Sequence, residues 1–435
     1  MKNHNKSFFF NKKILIYGLG KSGISAFNFL KKKNNTFVFD DNNHKQDKSV
    51  RLSWISLKKI NKQSFDCFII SPGIDIKKCK LSKILLQNRK RIFTDLDIFY
   101  TFYKNNESIA ITGTNGKSTT AQILYEILKQ KRDVRIVGNI GKPILSEKKI
   151  FPKTFFVIEA SSYQLEYSQF FKSRFSVILN ISADHLERHG NLKNYINAKF
   201  NLLEKQSKDS TAFINKYDFN IQKKIRSKKY NIEIIEVNTK KKNNLMKKLN
   251  NDYFNSKGNI ENLHFVLAIS RKLKIKTHNI IKTLNRFKGL KYRQQTIYND
   301  NKLEIINDSK STSFASSESL LRNLKNVYWI VGGIPKKGDK FTLKKRECKS
   351  FKAFIFGKNY LNFFQKLRSK VNCKINKNIK SSLLEIIDDI SKSHTSKKYT
   401  ILFSPASASF DNFLNFEERG KFFNKLVKNL LNAKN

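Results

Sequence analysis

Ile109-Ala-Ile-Thr-Gly-Thr-Asn-Gly-Lys-Ser-Thr-Thr120 is a short apolar strand that breaks into a glycine-punctuated polar turn, and the apolar spacing of Ala121-Gln-Ile-Leu-Tyr-Glu-Ile-Leu128 makes the next segment a helix. Strand, turn and helix in that order read as a phosphate-binding turn. Gly113 and Gly116 let the backbone around Thr114 and Asn115 close on phosphate oxygens, and the helix offers its positive N-terminus. Lys117 supplies a point charge, and the Ser118 hydroxyl, beside Thr119, can ligate Mg²⁺. In the usual motif four residues separate a first glycine from the Gly-Lys pair. Ile111 holds that position here, and Gly113 gives a shorter loop. A plain polar turn capped by serine is the bland alternative, and it leaves the Lys-Ser-Thr sequence unexplained.

At 435 residues the chain is long enough for about three domains with real cores. Its 39% hydrophobic and 28% charged content suits a soluble globular protein, and no apolar run approaches the roughly 18 residues of a membrane span. Phe8-Phe9-Phe10 is interrupted by Asn11-Lys12-Lys13 and lacks the apolar core of a signal peptide, so a cytoplasmic location is expected. Cys67, Cys79, Cys348 and Cys373 form no CxxC pair and read as reduced, mostly packed thiols. The net charge of +52 would ordinarily point to nucleic acid or an anionic membrane. The lysines, however, are spread through every segment with abundant Asn, Ile and Phe, as a coding bias against G and C would produce. No specific nucleic acid and no membrane is expected as a partner.

Working outward, the N-terminal segment has a strand, Lys13-Ile-Leu-Ile-Tyr17, then Gly18, Gly20, Ser22 and Gly23 opening a helix, and a second strand, Thr36-Phe-Val-Phe39, ending in Asp40-Asp41. This is G-x-G-x-x-G in its strand, turn and helix context, with an acid at the end of the next strand. It specifies a diphosphate at a helix N-terminus, and NAD or a UDP group fits equally. Asp66-Cys-Phe-Ile-Ile70 then enters the sharp turn Ser71-Pro72-Gly73 at the carboxyl edge, where open α/β sheets hold ligands.

A boundary is expected near Thr94 and Asp95. After the phosphate turn come the strand Val134-Arg-Ile-Val137 with Asn139 beyond it, and Phe155-Phe-Val-Ile158 ending in Glu159, with Ser161 and Ser162 beside it. A carboxylate at such a strand end holds Mg²⁺ or activates water; a solvated glutamate is the alternative. Ser176-Val-Ile-Leu179 leads to Asn180, Asp184 and His185, and Lys199 follows on a basic helix. From Lys205 to Lys257 the Lys/Asn-rich chain reads as small edge strands joined by basic loops, before a helix over Leu263–Ser270. The third segment starts near Leu290. Its four strands, Leu303–Ile306, Val327–Val331, Ala353–Phe356 and Tyr399–Phe403, each enter a polar or glycine-rich turn, as in another parallel α/β sheet. Cations and hydroxyls dominate those turns and suit a small substrate with carboxylates.

Together GTNGKST at 113–119, Glu159-Ala-Ser-Ser-Tyr-Gln-Leu165, Asn180 with His185, NDSK at 307–310 and SPASASFDNF at 404–413 resemble the Mur ligases, the amino-acid ligases of peptidoglycan synthesis. Gly18–Gly23, Ser71-Pro72-Gly73 and Phe416-Glu-Glu-Arg-Gly420 look most like the branch that adds D-glutamate. The resemblance implies an α/β chain of three domains, each a mainly parallel sheet with flanking helices. Residues 1–94 would be Rossmann-like and bind UDP-N-acetylmuramoyl-L-alanine. Residues 95–289 would be a P-loop-type ATPase binding ATP and Mg²⁺, and 290–435 a Rossmann-like D-glutamate domain.

It further implies that Lys117 serves the β- and γ-phosphates, that Ser118 and Glu159 hold Mg²⁺, and that His185 with a carbamylated Lys199 serves a second metal. Asn139 matches a position near phosphates and substrate, Asn259 and Asn262 match positions around the adenine, and Arg293 and Asp308 match groups that would reach the nucleotide on closure. Lys310, Thr312, Ser409, Phe410 and Phe416 match the D-glutamate pocket, and Lys336 or Lys337, of which Lys337 is placed in the site, would meet the substrate carboxylate. The loop 332–339 carries Ile-Pro where many members have a shorter polar turn, and 205–257 is diverged. A monomer is expected. A ligase of the same type adding another amino acid, an NAD-linked oxidoreductase and a basic nucleic-acid binder are the rivals. The second leaves 113–119 unexplained, and the third rests on charge alone.

Overall fold

The computed structural model describes residues 6–42, 50–241, 244–336, 338–393, 395–409 and 412–432. Three sheets are present among these described residues. The first contains β1 (Lys13–Tyr17), β2 (Asn35–Phe39), β3 (Cys67–Ile70) and β4 (Ile92–Phe93) in the order β2-β1-β3-β4, all parallel. The second contains β5 (Ser108–Thr112), β6 (Val134–Gly138), β7 (Phe155–Glu159), β8 (Phe175–Ile178), β9 (Thr211–Asn215) and β10 (Glu233–Val237), in the order β10-β9-β8-β5-β7-β6 and again parallel. The near-continuous apolar runs of β3, β5, β7 and β8 follow from this architecture. Helices cover both faces of a parallel sheet, so every position of these four strands is buried.

Two compact units result, 1–287 and 288–435. The first holds both of these sheets, and they share one core: Ile14 and Ile16 of β1 belong to the same apolar cluster as Phe156 and Ile158 of β7. The connecting helix Asp95–Tyr103 is capped by Thr94 and Asp97 and contributes Phe99, whose ring meets Phe156 edge-on at 4.8 Å. Burying one such phenylalanine is worth about 2–3 kcal/mol. Asp97 is fully buried and accepts from Thr94 N, Ser168 Oγ, Gln169 N and Phe170 N at 2.7–2.8 Å, stapling the 168–170 segment to this helix.

The second unit carries β11 (Gln295–Asn299), β12 (Leu303–Asn307), β13 (Val327–Gly332), β14 (Phe351–Phe356), β15 (Asn372–Asn376) and β16 (Tyr399–Phe403), ordered β11-β12-β16-β13-β14-β15, with only β11 antiparallel. Sequence reading gave four strands here. The two it missed, β11 and β15, are the sheet edges, where one open side lets polar residues such as Gln295, Asn372 and Lys374 sit in a strand and hides the apolar pattern.

The stretch after Lys205 also differs from expectation. β9 is not an edge strand: it lies second from the edge with all five residues buried, Ala212 and Ile214 packing with Tyr195, Phe200 and Ile221, and the helix Phe219–Arg226 connects it to β10. The helix expected from Leu263 begins earlier, at Lys257, because Ser256 caps it by accepting from Asn259 N. Among the described residues no helix is long and apolar enough to cross a membrane, and all four cysteines are free thiols.

Candidate active site

β5 delivers the chain to Gly113 at the carboxyl edge of the second sheet. The turn closes at Gly116, which is left-handed (φ 82°) and caps the helix Lys117–Leu128. A side chain at Gly116 would be strained by that φ and would run into the amide of Asn262. Asn180, just past β8, clamps the turn from outside: its carbonyl accepts from Thr114 N at 2.9 Å and its Oδ1 from Asn115 N at 2.8 Å. The Thr114 hydroxyl meets Tyr195 Oη at 3.2 Å. Lys117 donates to the carbonyls of Gly113 and Thr114 at 2.9 and 2.8 Å, and Thr119 lies half-buried on the helix.

Ser118 and Glu159, 41 residues apart in sequence, meet because β5 and β7 are neighbours in register, Ile111 opposite Glu159. The Ser118 hydroxyl donates to Glu159 Oε2 at 2.5 Å, and Asn139, beyond β6, donates its amide to Glu159 Oε1 at 2.9 Å. Ser161 caps the helix Ser162–Tyr167 in a reciprocal box with Gln164, whose side chain reaches Asp95 Oδ1 at 2.9 Å. Lys199 is 1% exposed and donates to the same Gly113 carbonyl as Lys117, at 2.8 Å, with its amine 4.4 Å from the Tyr195 ring centre. Burial, reinforced by the charge of Lys117, pulls this amine well below the ordinary lysine range; Asp184 and Glu159 oppose the shift. His185 has left-handed backbone (φ 53°) and is engaged by Asp184 at 3.3 Å and Glu187 at 3.7 Å, its ring 5.1 Å from that of Tyr163. Among the described residues no group of three His, Cys, Asp or Glu side chains could hold a metal by itself.

A second glycine turn lies at the carboxyl edge of the first sheet. Gly18 has φ 90°, and a Cβ there would come within 2.8 Å of Ser71 Cβ. Ser71 donates its hydroxyl to Gly18 O at 2.6 Å, and Asp40 accepts from Leu19 N at 2.6 Å, so Ser71 and Asp40 shape the same turn. Gly20 precedes the helix Lys21–Leu30, which contains Ser22 and the buried Gly23; Pro72 is half-buried and Gly73 exposed. Asn259 and Asn262 are buried in the helix Lys257–Lys272, Asn259 donating to Tyr253 O at 2.7 Å and Asn262 lying against Gly116.

In the 288–435 unit, the buried Asp308 accepts from Gln294 N at 3.1 Å and from the Ser404 hydroxyl at 2.9 Å. Lys310 sits 4.0 Å from the Phe416 ring centre, with Arg293 6.0 Å from it on the same ring. Thr312 is exposed and Ser409 buried. Lys337 and Phe410 lie outside the described residues. Sequence reading did not single out Arg419, which is 1% exposed and donates to Ser309 O, Ser407 O and Ala408 O at 2.8–3.3 Å, tying the loops after β12 and β16. Among 86 Lys and Arg residues nothing in one sequence distinguishes a buried arginine from a solvated one.

Burial pushes the Asp308 carboxyl up to about 7, against the pull of Ser404, Gln294 N–H, Arg293 and Arg419. The folded chain therefore holds a proton that the unfolded chain loses near its ordinary value of about 4. The stability linked to this group is fully present below that value, falls as pH rises through 7 and stays lost above it. Asp308→Asn keeps the bond from Gln294 N on its Oδ1, lets its amide nitrogen donate to the Ser404 hydroxyl in place of accepting from it, and removes the slope. At pH 8 it is expected to stabilise the unit by on the order of 2 kcal/mol, and at pH 4 to change little. The check is urea unfolding followed by the fluorescence of buried Trp329 in a Trp54→Phe background.

The chain matches the family description "Mur ligase middle domain" over residues 111–281 and "Mur ligase MurD-like, N-terminal domain" over 12–92. It is 32% identical to the UDP-N-acetylmuramoylalanine--D-glutamate ligase of Rickettsia felis, covering 98% of both chains. It is 34% identical to the protein of the same name from Buchnera aphidicola, covering 97% of this chain and 99% of that one. The fold is similar to that of the MurC ligase of Thermotoga maritima, with a TM-score of 0.54 at 16% identity over 96% of this chain and 100% of the other. With two glycine turns on parallel sheets and full-length relatives above 30% identity, this chain belongs to the Mur ligase family.

Proposed function

We propose that this chain is an ATP-dependent ligase that adds D-glutamate to UDP-N-acetylmuramoyl-L-alanine, in cytoplasmic peptidoglycan precursor synthesis. The observation that carries this reading is that one compact unit contains two glycine turns suited to phosphates, at Gly18 and Gly113, on sheets that share a core. One would take the diphosphate of the acceptor and the other ATP, so that the γ-phosphoryl group passes to the acceptor's terminal carboxylate and the D-glutamate amine displaces phosphate from the acyl phosphate. The domain division 1–94, 95–289 and 290–435 goes with this reading.

Ser118 and Glu159 provide a hydroxyl and a carboxylate in contact, hard oxygen donors that fit Mg²⁺ when phosphate and water complete its shell. Bound there, the ion would neutralise charge on the transferred phosphate. The chain's own residues do the rest. Gly113 to Thr119 wrap the phosphates, Lys117 offsets their charge, and Asn139 orients Glu159 through its amide. His185 and a carbamylated Lys199 would serve a second ion: burial that disfavours the ammonium makes the amine a better nucleophile for carbon dioxide, and the carbamate formed with loss of a proton is an anionic oxygen donor. Gly18, Gly20, Ser22, Gly23, Asp40, Ser71, Pro72 and Gly73 would hold the UDP group, Ser161 the acceptor, and Asn259 and Asn262 the adenine side. Arg293 and Asp308 would meet the nucleotide, and Lys310, Thr312, Lys337, Ser409, Phe410 and Phe416 the D-glutamate.

The test is phosphate release from ATP and Mg²⁺ with UDP-N-acetylmuramoyl-L-alanine, comparing D-glutamate with L-glutamate, L-lysine and meso-diaminopimelate. Release only with D-glutamate is expected. Release with another amino acid would keep the ligase and overturn the substrate.

A further inference from the structure

His185 opens a one-turn helix, Leu186–His189, whose third residue sends its side chain to the first sheet. Arg188 pairs with Asp75 Oδ1 at 2.7 Å and donates to Ile74 O at 2.6 Å. Its guanidinium lies over Tyr163 and Tyr167, 5.4 and 5.5 Å from their ring centres, and both tyrosines belong to the helix that follows Glu159-Ala-Ser. Lys78 adds a second strap, donating to Glu187 O at 3.1 Å.

Ile74 and Asp75 directly continue the turn Ser71-Pro72-Gly73, and Ser71 is bonded to Gly18 O. An unbroken line of contacts therefore runs from the Gly18 turn through Ser71 and Asp75 to Arg188, and from there to His185 along the backbone and to the Glu159 segment through the tyrosines. The Arg188 side chain is 9% exposed and that of Asp75 16%, so water competes little for the pair. A planar guanidinium can serve a carboxylate, a carbonyl and two aromatic faces together, which an ammonium cannot.

We infer that Arg188 is a positioning residue that fixes the separation between the diphosphate turn at Gly18 and the His185 and Glu159 end of the site, and thereby selects the length of the diphosphate-linked acceptor. This rests on the ligase reading above. An acceptor gripped by its diphosphate can present its carboxylate to the transferred phosphate only if its length matches that separation. An error of about 1 Å in such alignment can cost roughly 100-fold in rate.

The experiment uses the full chain with Arg188→Met, Asp75→Asn and the double variant, and two acceptors, UDP-N-acetylmuramoyl-L-alanine and the shorter UDP-N-acetylmuramate. For Arg188→Met, kcat/KM with the alanyl acceptor is expected to fall roughly 10- to 100-fold, with the preference over the shorter acceptor narrowed. KM for ATP is expected to stay within about twofold, and Asp75→Asn to add little on top, because the two side chains act as one contact. A merely structural ion pair would lower the unfolding midpoint and leave the preference intact, and that result overturns the inference. If Arg188→Met does not fold, the exposed Lys78→Met and the milder Arg188→Lys replace it, and an unchanged preference in both overturns it. If the wild type shows no D-glutamate-dependent release, the ligase reading fails instead. Calorimetric binding of the alanyl acceptor then decides, equal affinity in wild type and Arg188→Met being the negative result.

Discussion

Lys117→Ala is expected to reduce ATP-dependent phosphate release by about 1,000-fold while the protein stays folded. A unit charge about 4 Å from a phosphate oxygen, in the partly screened environment of a turn, is worth roughly 4 kcal/mol. Each 1.4 kcal/mol is tenfold in rate, so the loss is about three decades if the interaction is made mainly in the transition state. Stability follows a different route. The Lys117 side chain is half-buried and its acceptors, the carbonyls of Gly113 and Thr114, lie at the end of the sheet, where Lys199 also serves Gly113 O. Removing it leaves few groups unsatisfied, and the unfolding midpoint should hardly move. Lys117→Arg should not rescue, since a rigid fork cannot replace a point charge folded back over a turn closed by left-handed Gly116. A variant that keeps release within about tenfold of wild type would remove the phosphate role from this turn.

How much of this was legible beforehand depended on the kind of residue. The phosphate turn could be read because glycine, lysine and serine at fixed spacing admit few alternatives, and the strands flanking it because buried parallel strands have near-continuous apolar interiors, Ile109-Ala-Ile111 and Phe155-Phe-Val-Ile158, with polar residues only at their ends. Contact between Ser118 and Glu159 could not be read from spacing, because it depends on β5 and β7 being neighbours in register, which is a property of sheet order. The same holds for Arg188 and Asp75, 113 residues apart and joined only by the packing of two sheets in one unit. β9 was misread for another reason. Its apolar residues are only Ala212, Phe213 and Ile214 in a lysine-rich stretch, and the partners that bury Ala212 and Ile214, Tyr195 and Phe200, come from a preceding helix, while Phe213 packs on the opposite face with Ile109, Ile111 and Phe175. Charge was the least informative signal: in a chain of net +52, neither the buried Lys199 nor the buried Arg419 stands out from the solvated lysines around it.

Lys199→Met is expected to separate activity from stability, with release falling by roughly 100-fold or more and the unfolding midpoint holding or rising. Lys199 is an odd residue to bury. Its amine sits in the interior beside Lys117, and both the loss of water and the like charge disfavour the ammonium. The fold receives little in return. The hydrogen bond to Gly113 O is duplicated by Lys117, so methionine leaves that carbonyl served. Methionine has similar helix propensity in the helix Leu192–Glu204, nearly the same length, and a thioether that packs well on the Tyr195 ring. Removing a buried polar group whose bond is duplicated is worth about 1 kcal/mol in favour of the folded state. A buried lysine that costs stability is retained for the chemistry of an amine whose ammonium form the site disfavours. The checks are phosphate release and a chemical unfolding curve on the same preparation. A variant losing both together would make Lys199 a packing residue, and a variant losing neither would take it out of the site.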